Sequence, residues 1–457
     1  MPDIPLIGHT DLDSVFAYRA GVPVPVQRFL QEVGALARQL PEKRHVLNLC
    51  ADRYSFAVGF CAALLRGQIS LLPPNYTADF VARLAARFPD LYCLSDGAVE
   101  LAGIQLAGIE VVAYPTAAEL SAAEATGIPL IPAEQCAALV FTSGSTGEPT
   151  AHQKTWGSLS ASATAEAERF GILPGAAMTI LGTVPAQHMY GLESTVLIAL
   201  CNGQVLVAER PFYPADISAQ LAALPRPRCL VTTPIHLRSL LAEVAEVPPV
   251  DFVLCATAPL PLDLAQLAEA CFGAPLYEIY GFTEAGQVAS RRPVEGAAWT
   301  LFAGIALHQQ QDRAWVSGGH VQIEAVLSDV IELAADGTFT LHGRAADLVN
   351  IGGKRTSLAS LSHHLNNIPG VRDGVFMVPD DSAGGSPRTL AFVVAPGLTR
   401  DIVLAALRQC VDPVFLPRQL YFVESLPRNS TGKLTREALA QLLRQAPRTD
   451  RRKNAAA

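Results

Sequence analysis

The sequence predicts an α/β chain. A large N-terminal domain is built of layered, mostly parallel α/β subdomains plus a β-rich portion, and a small α+β domain follows. Three observations carry this. Short β-rich apolar runs alternate with Ala/Leu-rich helical patterns, as parallel sheets require. After about residue 300 the pattern turns to alternating apolar and polar residues with turn glycines, the mark of antiparallel hairpins. From Leu358 a compact mixture of helix and strand completes the chain.

In order, "HVLNLC" precedes the helix "SFAVGFCAALLRG", "GQISLLPP" precedes "TADFVARLAARF", and "RCLVTT" precedes "PIHLRSLLAEVA". The hairpin stretches are "WVSGGHVQIEAV", "DVIELAADGTFTLHGR" and "DLVNIGGKRTSL". The last segment reads helix, strand "GVFMVP", strand "LAFVVAP", helix "DIVLAALRQCV", strand "QLYFVES". The boundary falls near Arg344–Asp347, giving domains 1–344 and 345–457. No period of 20–50 residues repeats.

The 457 residues are half hydrophobic, enough for large cores. A formal charge of −8 speaks against a polyanion-binding surface, so no nucleic acid is expected. Nine scattered cysteines make no C-x-x-C and are odd in number, which suits reduced thiols. The N-terminus lacks a basic and then apolar leader, and the apolar run "FAVGFCAALL" is too short to span a bilayer. The expectation is a cytoplasmic protein with no membrane span. Only five of the 34 basic residues are lysine, at 43, 154, 354, 433 and 453. A lysine among arginines can mark a place where a compact charge is needed rather than a planar fork.

The apolar run "CAALVF" feeds into "TSGSTGEPT". Thr142, Ser143, Ser145 and Thr146 supply hydroxyls, and the amides around Gly144 and Gly147 can form an anion-binding nest. The fitting ligand is a polyphosphate. The pattern G-x-x-x-x-G-K-[ST] cannot be placed here, so this is not a Walker A loop.

"FTSGSTGEPT" resembles the phosphate loop of the adenylate-forming superfamily: acyl-CoA synthetases, aryl-acid ligases, peptide-synthetase adenylation domains and luciferases. Four further motifs follow in the family's order. They are "PAQHMYG" (Pro185–Gly191), "YGFTEAG" (Tyr280–Gly286), "SDVIELAADGTFTLHGRAADLVNIGGKR" (Ser328–Arg355) and "LPRNSTGKLTR" (Leu426–Arg436). The resemblance covers nearly the whole chain. It implies two half-reactions: a carboxylate attacks the α-phosphate of ATP, and a pantetheine thiol of CoA or a carrier protein then displaces AMP.

The resemblance also implies roles. Thr142, Ser143, Gly144, Ser145, Thr146 and Gly147 hold the β- and γ-phosphates. Thr283 contacts the α-phosphate and Glu284 binds Mg²⁺. Tyr280 lies on the adenine, with Gly281 in the same nucleotide motif. The small side chain of Ala258 lets backbone approach the nucleotide. Asp329 accepts the ribose hydroxyls, with Arg344 nearby. Lys433 bridges the acyl carboxylate and the α-phosphate. Gly353 lines the pantetheine tunnel, and the small domain turns about Ala345–Asp347.

Two departures stand out. The family usually follows the loop's proline with lysine, but Pro149 is followed by Thr150 and the lysine comes at 154. If that segment is helical, positions four apart share a face and Lys154 can reach a phosphate. The alternative is a solvated helix lysine. Second, the family's hinge acid falls at Ala346, with Asp347 one residue on. In the gate, His188 stands where peptide-synthetase domains place an aspartate, so a free α-amino acid is disfavoured and an aryl or acyl acid expected. His236 either faces the acid pocket or is a packed histidine. The chain is short for the family. This trimmed form resembles ligases that load aryl or acyl groups onto carrier proteins. A stand-alone amino-acid adenylating enzyme and a non-catalytic nucleotide sensor are the alternatives.

Overall fold

The structure is a computed structural model. It describes residues 2–74, 76, 78–97, 108–120, 127–143, 149–172, 176–310, 313–344, 348–351, 354–379, 388–428 and 434–445. The chain forms two compact units, residues 1–308 with 315–326, and residues 309–314 with 327–457.

Two large sheets form the centre of the first unit, beside smaller ones. A six-stranded sheet runs in the order Pro149–Thr155, Cys136–Ser143, Ile69–Leu72, His45–Asn48, Leu91–Ser95, Glu110–Ala113. Its pairs are parallel except the first. Apolar runs such as Ile69–Leu72 and Leu91–Ser95 are buried throughout, as strands covered on both faces must be. A nine-stranded sheet has a parallel centre: Leu276–Phe282, Phe252–Cys255, Arg228–Thr232, Thr179–Gly182, Val205–Val207 and Val15–Arg19, in that order. Antiparallel strands close its edges, Gly286–Arg291 and Thr300–Leu301 on one side and Val22–Pro25 on the other. The predicted strand–helix alternation is therefore observed.

One side chain joins the sheets. Arg53 opens the helix Arg53–Leu65, which Asp52 caps by accepting from the Ser55 amide at 2.7 Å. The Arg53 guanidinium is buried and donates to four carbonyls: Val207 (3.0 Å), Glu209 (2.9 Å), Gly182 (2.9 Å) and Val184 (2.8 Å). All four lie at the C-terminal ends of two neighbouring parallel strands. Burial lowers its pKa to about 10, so it remains a cation at neutral pH.

The second unit holds the predicted hairpins Asp329–Leu333/Phe339–Arg344 and Leu348–Ile351/Lys354–Ser357. The helix Leu358–Asn366 packs on the first hairpin, which is why that hairpin groups with this unit, ahead of the expected boundary at 344/345. A three-stranded sheet follows, Asp373–Met377 antiparallel to Leu390–Val394, and Gln419–Phe422 parallel to it. Leu361, Leu365, Phe376, Val393, Val403 and Leu407 form its core. The hinge residues 345–347 lie outside the described residues. No described helix is long and apolar enough to cross a membrane, and all nine cysteines are free.

Arg53→Met strands four buried carbonyls, each costing about 1–3 kcal/mol when unpaired. The variant is expected to lose more than about 3 kcal/mol in urea unfolding. A loss within about 1 kcal/mol of zero removes the clamp from the fold's requirements.

Candidate active site

The segment after Pro149 is a strand. It folds back on Cys136–Ser143 with Pro149 opposite Ser143, Thr150 opposite Thr142 and Lys154 opposite Ala138. This corrects the helical expectation for Lys154. β-branched Thr150 and Thr155 suit a strand, and Pro149 is tolerated because it begins an edge strand. Side chains two apart share a strand face, so Thr150, His152 and Lys154 point the same way.

That face meets the turn after Tyr280. The His152 Nε2 lies 3.0 Å from the Thr142 Oγ1 and 3.7 Å from the Glu284 Oε1. The Lys154 Nζ donates to the Glu284 carbonyl at 2.8 Å and is 6% exposed, so it is not a solvated lysine either. Thr283 and Glu284 occupy the tight turn between strands Leu276–Phe282 and Gly286–Arg291. The Glu284 side chain stays 41% exposed while its backbone is tethered. Glycine is required at 286: its φ is +85° and a Cβ would come within 2.9 Å of the Glu193 Oε1. A Cβ at Gly281 would strike the Gly286 carbonyl.

Behind Lys154 lies a polar cluster that sequence reasoning missed. Glu193 accepts from the Ser162 hydroxyl at 3.0 Å, and Glu166 accepts from the Gln287 Nε2 at 2.8 Å. The same Nε2 reaches the Ser194 Oγ at 3.2 Å, and the His320 Nε2 lies 2.7 Å from the Gln287 carbonyl. Glu193 and Ser194 sit on a π-helical segment, Leu192–Leu197, which re-aims both side chains. Burial raises the Glu166 carboxyl to about 8 and the Glu193 carboxyl to about 7, with the Lys154 charge opposing the rise at Glu193. Burial lowers the Lys154 amine, while Glu193 and Glu284 hold its charge. Burial also lowers His152 and His320. Glu166 inside the Ala-rich "SATAEAERF" and the lone Glu193 inside the apolar "YGLESTVLIAL" were the available signal.

The gate begins one residue beyond the Val184 carbonyl held by Arg53. His188 caps the short helix Met189–Gly191, its Nδ1 accepting the Tyr190 N–H at 3.3 Å. Nδ1 therefore carries no proton, and Nε2 does. The buried Tyr190 hydroxyl donates to the Thr232 carbonyl at 3.1 Å. His236 is buried, with Nδ1 2.9 Å from the Thr233 Oγ1 and 3.3 Å from the Thr183 Oγ1. That is a satisfied, packed histidine, kept below its ordinary pKa by burial and then Arg210.

Ala258 is half-buried beside Thr257, whose φ of +83° is a strained conformation for a β-branched residue. Tyr280 is half-buried, its ring edge-on to Trp299 with centroids 5.8 Å apart. In the second unit Asp329 is half-buried and faces Arg344 across its hairpin. The side chains of Ser143 and Arg344 lie outside the described residues, as do Gly144, Ser145, Thr146, Gly147, Gly353 and Lys433. The residues flanking 429–433 are anchored: Arg428 and Leu434 form an antiparallel bridge, and Arg428 forks onto Asp373 with both bonds at 2.8 Å.

Open sheets with parallel strands bind ligands outside the carboxyl ends of those strands, which is where these polar groups gather. The family described as AMP-binding enzyme matches residues 41–311, more than half of the chain. The chain belongs to this family of adenylate-forming enzymes. It is 27% identical over 304 residues to a 4-coumarate–CoA ligase of Rhodobacter capsulatus, covering 66% of this chain and 75% of that one. It is 28% identical over 460 residues to the phosphinothricin tripeptide synthetase PhsC of Streptomyces viridochromogenes, covering 88% of this chain and 41% of that one. In fold it is similar to the o-succinylbenzoate CoA synthetase of Bacillus subtilis solved with ATP and magnesium. There the TM-score is 0.80 at 18% identity, over 95% of this chain and 99% of that chain.

The buried carboxylates set a pH dependence. Both folded-state pKa values lie above the ordinary value near 4.5, so the folded state holds more protons than the unfolded state between about pH 5 and 8. The two carboxylates' contribution to stability then falls as pH rises through that window, while the buried His152, His236 and His320, lowered from their ordinary value, contribute the opposite slope at its acid end. Glu166→Gln is expected to flatten the fall and to raise the urea midpoint at pH 8. A pH slope equal to the parent's would refute the assignment.

Proposed function

We infer that this chain is an ATP-dependent acid–thiol ligase. It activates an aryl or acyl carboxylic acid as acyl-AMP and passes the acyl group to a pantetheine thiol. The observation that carries this is the convergence of Thr142, His152 and the tethered Glu284 turn on one face. Carrier-protein pantetheine as acceptor is supported by the match to a peptide synthetase along 88% of the chain. CoA as acceptor is supported by the match to a 4-coumarate–CoA ligase.

In the first step an oxygen of the acid's carboxylate bonds to the α-phosphorus and the bond to the β-phosphate oxygen breaks, releasing pyrophosphate. One anion attacks another, so alignment and charge neutralisation matter more than a base. The Thr142 hydroxyl and the loop amides of 144–147 receive the departing phosphates. Thr283 orients the α-phosphate. The Glu284 carboxylate fits Mg²⁺: it is an exposed hard oxygen donor, and the histidine beside it is held neutral by burial. Bound Mg²⁺ supplies Lewis-acid neutralisation of phosphate charge. The Lys154 ammonium, fixed on the Glu284 carbonyl, keeps that carboxylate in place and acts on the phosphates only through the turn. The His188 Nε2–H donates toward the acid's carboxylate at the gate.

Asp329 and Arg344 hold the ribose end, and Lys433 bridges carboxylate and α-phosphate. In the second step the thiol sulfur bonds to the acyl carbon, the acyl–phosphate oxygen bond breaks, AMP leaves, and the thiol proton passes to solvent. Gly353 lines the thiol's path, brought in by rotation about 345–347.

A panel of carboxylic acids scored by pyrophosphate release, with CoA and with holo-carrier proteins, tests the reading. No release with any acid removes it in favour of a nucleotide-binding sensor. Lys433→Ala is expected to lose adenylation by on the order of 10²–10³ while converting supplied acyl-adenylate to thioester almost normally. Equal loss of both half-reactions reassigns Lys433. Gly353→Trp should give one burst of pyrophosphate and then stall with adenylate bound. Abolished release with intact transfer places Gly353 in the adenylation step instead.

A further inference from the structure

Strand alternation puts Glu278 and Tyr280 on the same face of Leu276–Phe282. Arg291 stands directly opposite Glu278 on the antiparallel neighbour. Its Nε and Nη2 both donate to the Glu278 Oε2, at 2.7 and 2.5 Å. The other oxygen, Oε1, accepts the Leu260 N–H at 3.0 Å. Glu278 is buried, with its side chain 5% exposed. The Arg291 guanidinium carbon lies 4.7 Å from the centroid of Trp299, which is 5% exposed. Trp299 meets the Tyr280 ring at 5.8 Å with an interplanar angle of 61°.

These contacts form one chain, from the loop Ala256–Leu260 through Glu278, Arg291 and Trp299 to Tyr280. The loop is the one strained at Thr257. Each link is directional. A carboxylate with one oxygen per partner fixes the loop amide and the guanidinium together. A guanidinium held in plane can lie flat on an indole face. An indole beneath it fixes the ring it meets edge-on. Nothing in catalysis as derived above uses Glu278, Arg291 or Trp299.

We propose that Arg291, locked by Glu278 and lying on Trp299, is a positioning residue that sets the base-stacking face of Tyr280 and the Thr257–Leu260 loop together. The proposal rests on the reading that Tyr280 lies on the adenine. It makes purine affinity depend on a residue that touches no ligand. Thr142, which the proposed reading gives to the departing phosphates, lies on a strand of the other sheet. The triphosphate should therefore be held normally when the purine is not.

The experiment compares Arg291→Met, Arg291→Lys and Tyr280→Ala with the parent in pyrophosphate release. Arg291→Met is expected to raise the KM for ATP roughly tenfold, the scale of one lost cation–π contact plus one loosened aromatic pair. The KM for the acid and the inhibition constant of added pyrophosphate should stay within about twofold of the parent's. Lysine keeps the buried charge paired, so Arg291→Lys folds even if the methionine variant does not. It lacks the planar fork, so its KM for ATP should still rise about threefold or more. An ATP KM within about twofold of the parent's in Arg291→Lys overturns the proposal, as does a parallel rise in the acid KM or in the pyrophosphate inhibition constant. Tyr280→Ala separates the two levels. If it leaves the ATP KM unchanged, the adenine assignment itself fails. If it raises the ATP KM while the Arg291 variants do not, only the positioning role fails.

Discussion

The first unit depends on where the Arg53 guanidinium goes. A helix that follows one sheet sends a cation into the C-terminal edge of the other, where it takes four carbonyls. Carbonyls at that edge have no next strand residue to bond, and a buried unpaired carbonyl is costly. Arginine suits the job because five N–H groups leave one planar head in fixed directions, which an ammonium cannot match. A Cβ at Gly182 would come within 2.7 Å of that head, so the strand ends in glycine there. Two consequences follow for function. The peptide just before the gate is pinned, and the gate's own contacts, such as Gln187 to the Cys50 carbonyl at 2.6 Å, start from a fixed point.

A second constraint is electrostatic. Lys154, Glu193 and Glu166 are all buried within one polar cluster. Burying charge is costly unless it is paired. Burial raises both glutamates, and the Lys154 charge opposes the rise at Glu193. The cluster is tolerable because its members each have a hydrogen-bond partner, although the Glu166 Oε1, the Gln287 Oε1 and the His320 Nδ1 have none among the described residues. Protonation is the physical answer for that carboxyl: a neutral acid needs less from its surroundings than a carboxylate does.

Much of the fold was legible in the sequence because it rests on local signals. Continuous apolar runs gave the buried parallel strands, and glycine-turned alternation gave the hairpins. Five motifs spread along the chain pointed to the family. What was not legible depended on pairing between distant residues. "PTAHQKT" has no strong helix or strand signature, and only its return alongside Cys136–Ser143 makes it a strand. A spacing of four was therefore argued on the wrong period, and the burial of Lys154 was missed with it. Glu166 and Glu193 sit in helical segments where a carboxylate ordinarily faces water, and only packing shows them inside. The border between the units moved for the same reason: the Asp329 hairpin groups with the helix that packs on it.

The strand period also explains the displaced lysine. Thr150, the residue after the loop's proline, is exposed and lies opposite Thr142. His152 and Lys154 are the next residues on the same face, each step running further under the Glu284 turn. A cation at the first position would face outward beside Thr142. At the third it is buried and fixed on a backbone carbonyl. On the proposed function, moving the charge along the face exchanges a hydrated group for a tethered one and shifts its work from the ligand to the turn that carries Glu284. Preorganised groups stabilise developing charge because they need not reorient during the reaction. On that argument a lysine four residues late is compatible with adenylation, provided the hydroxyls and amides at 142–147 carry the phosphate contacts that the exposed position no longer supplies.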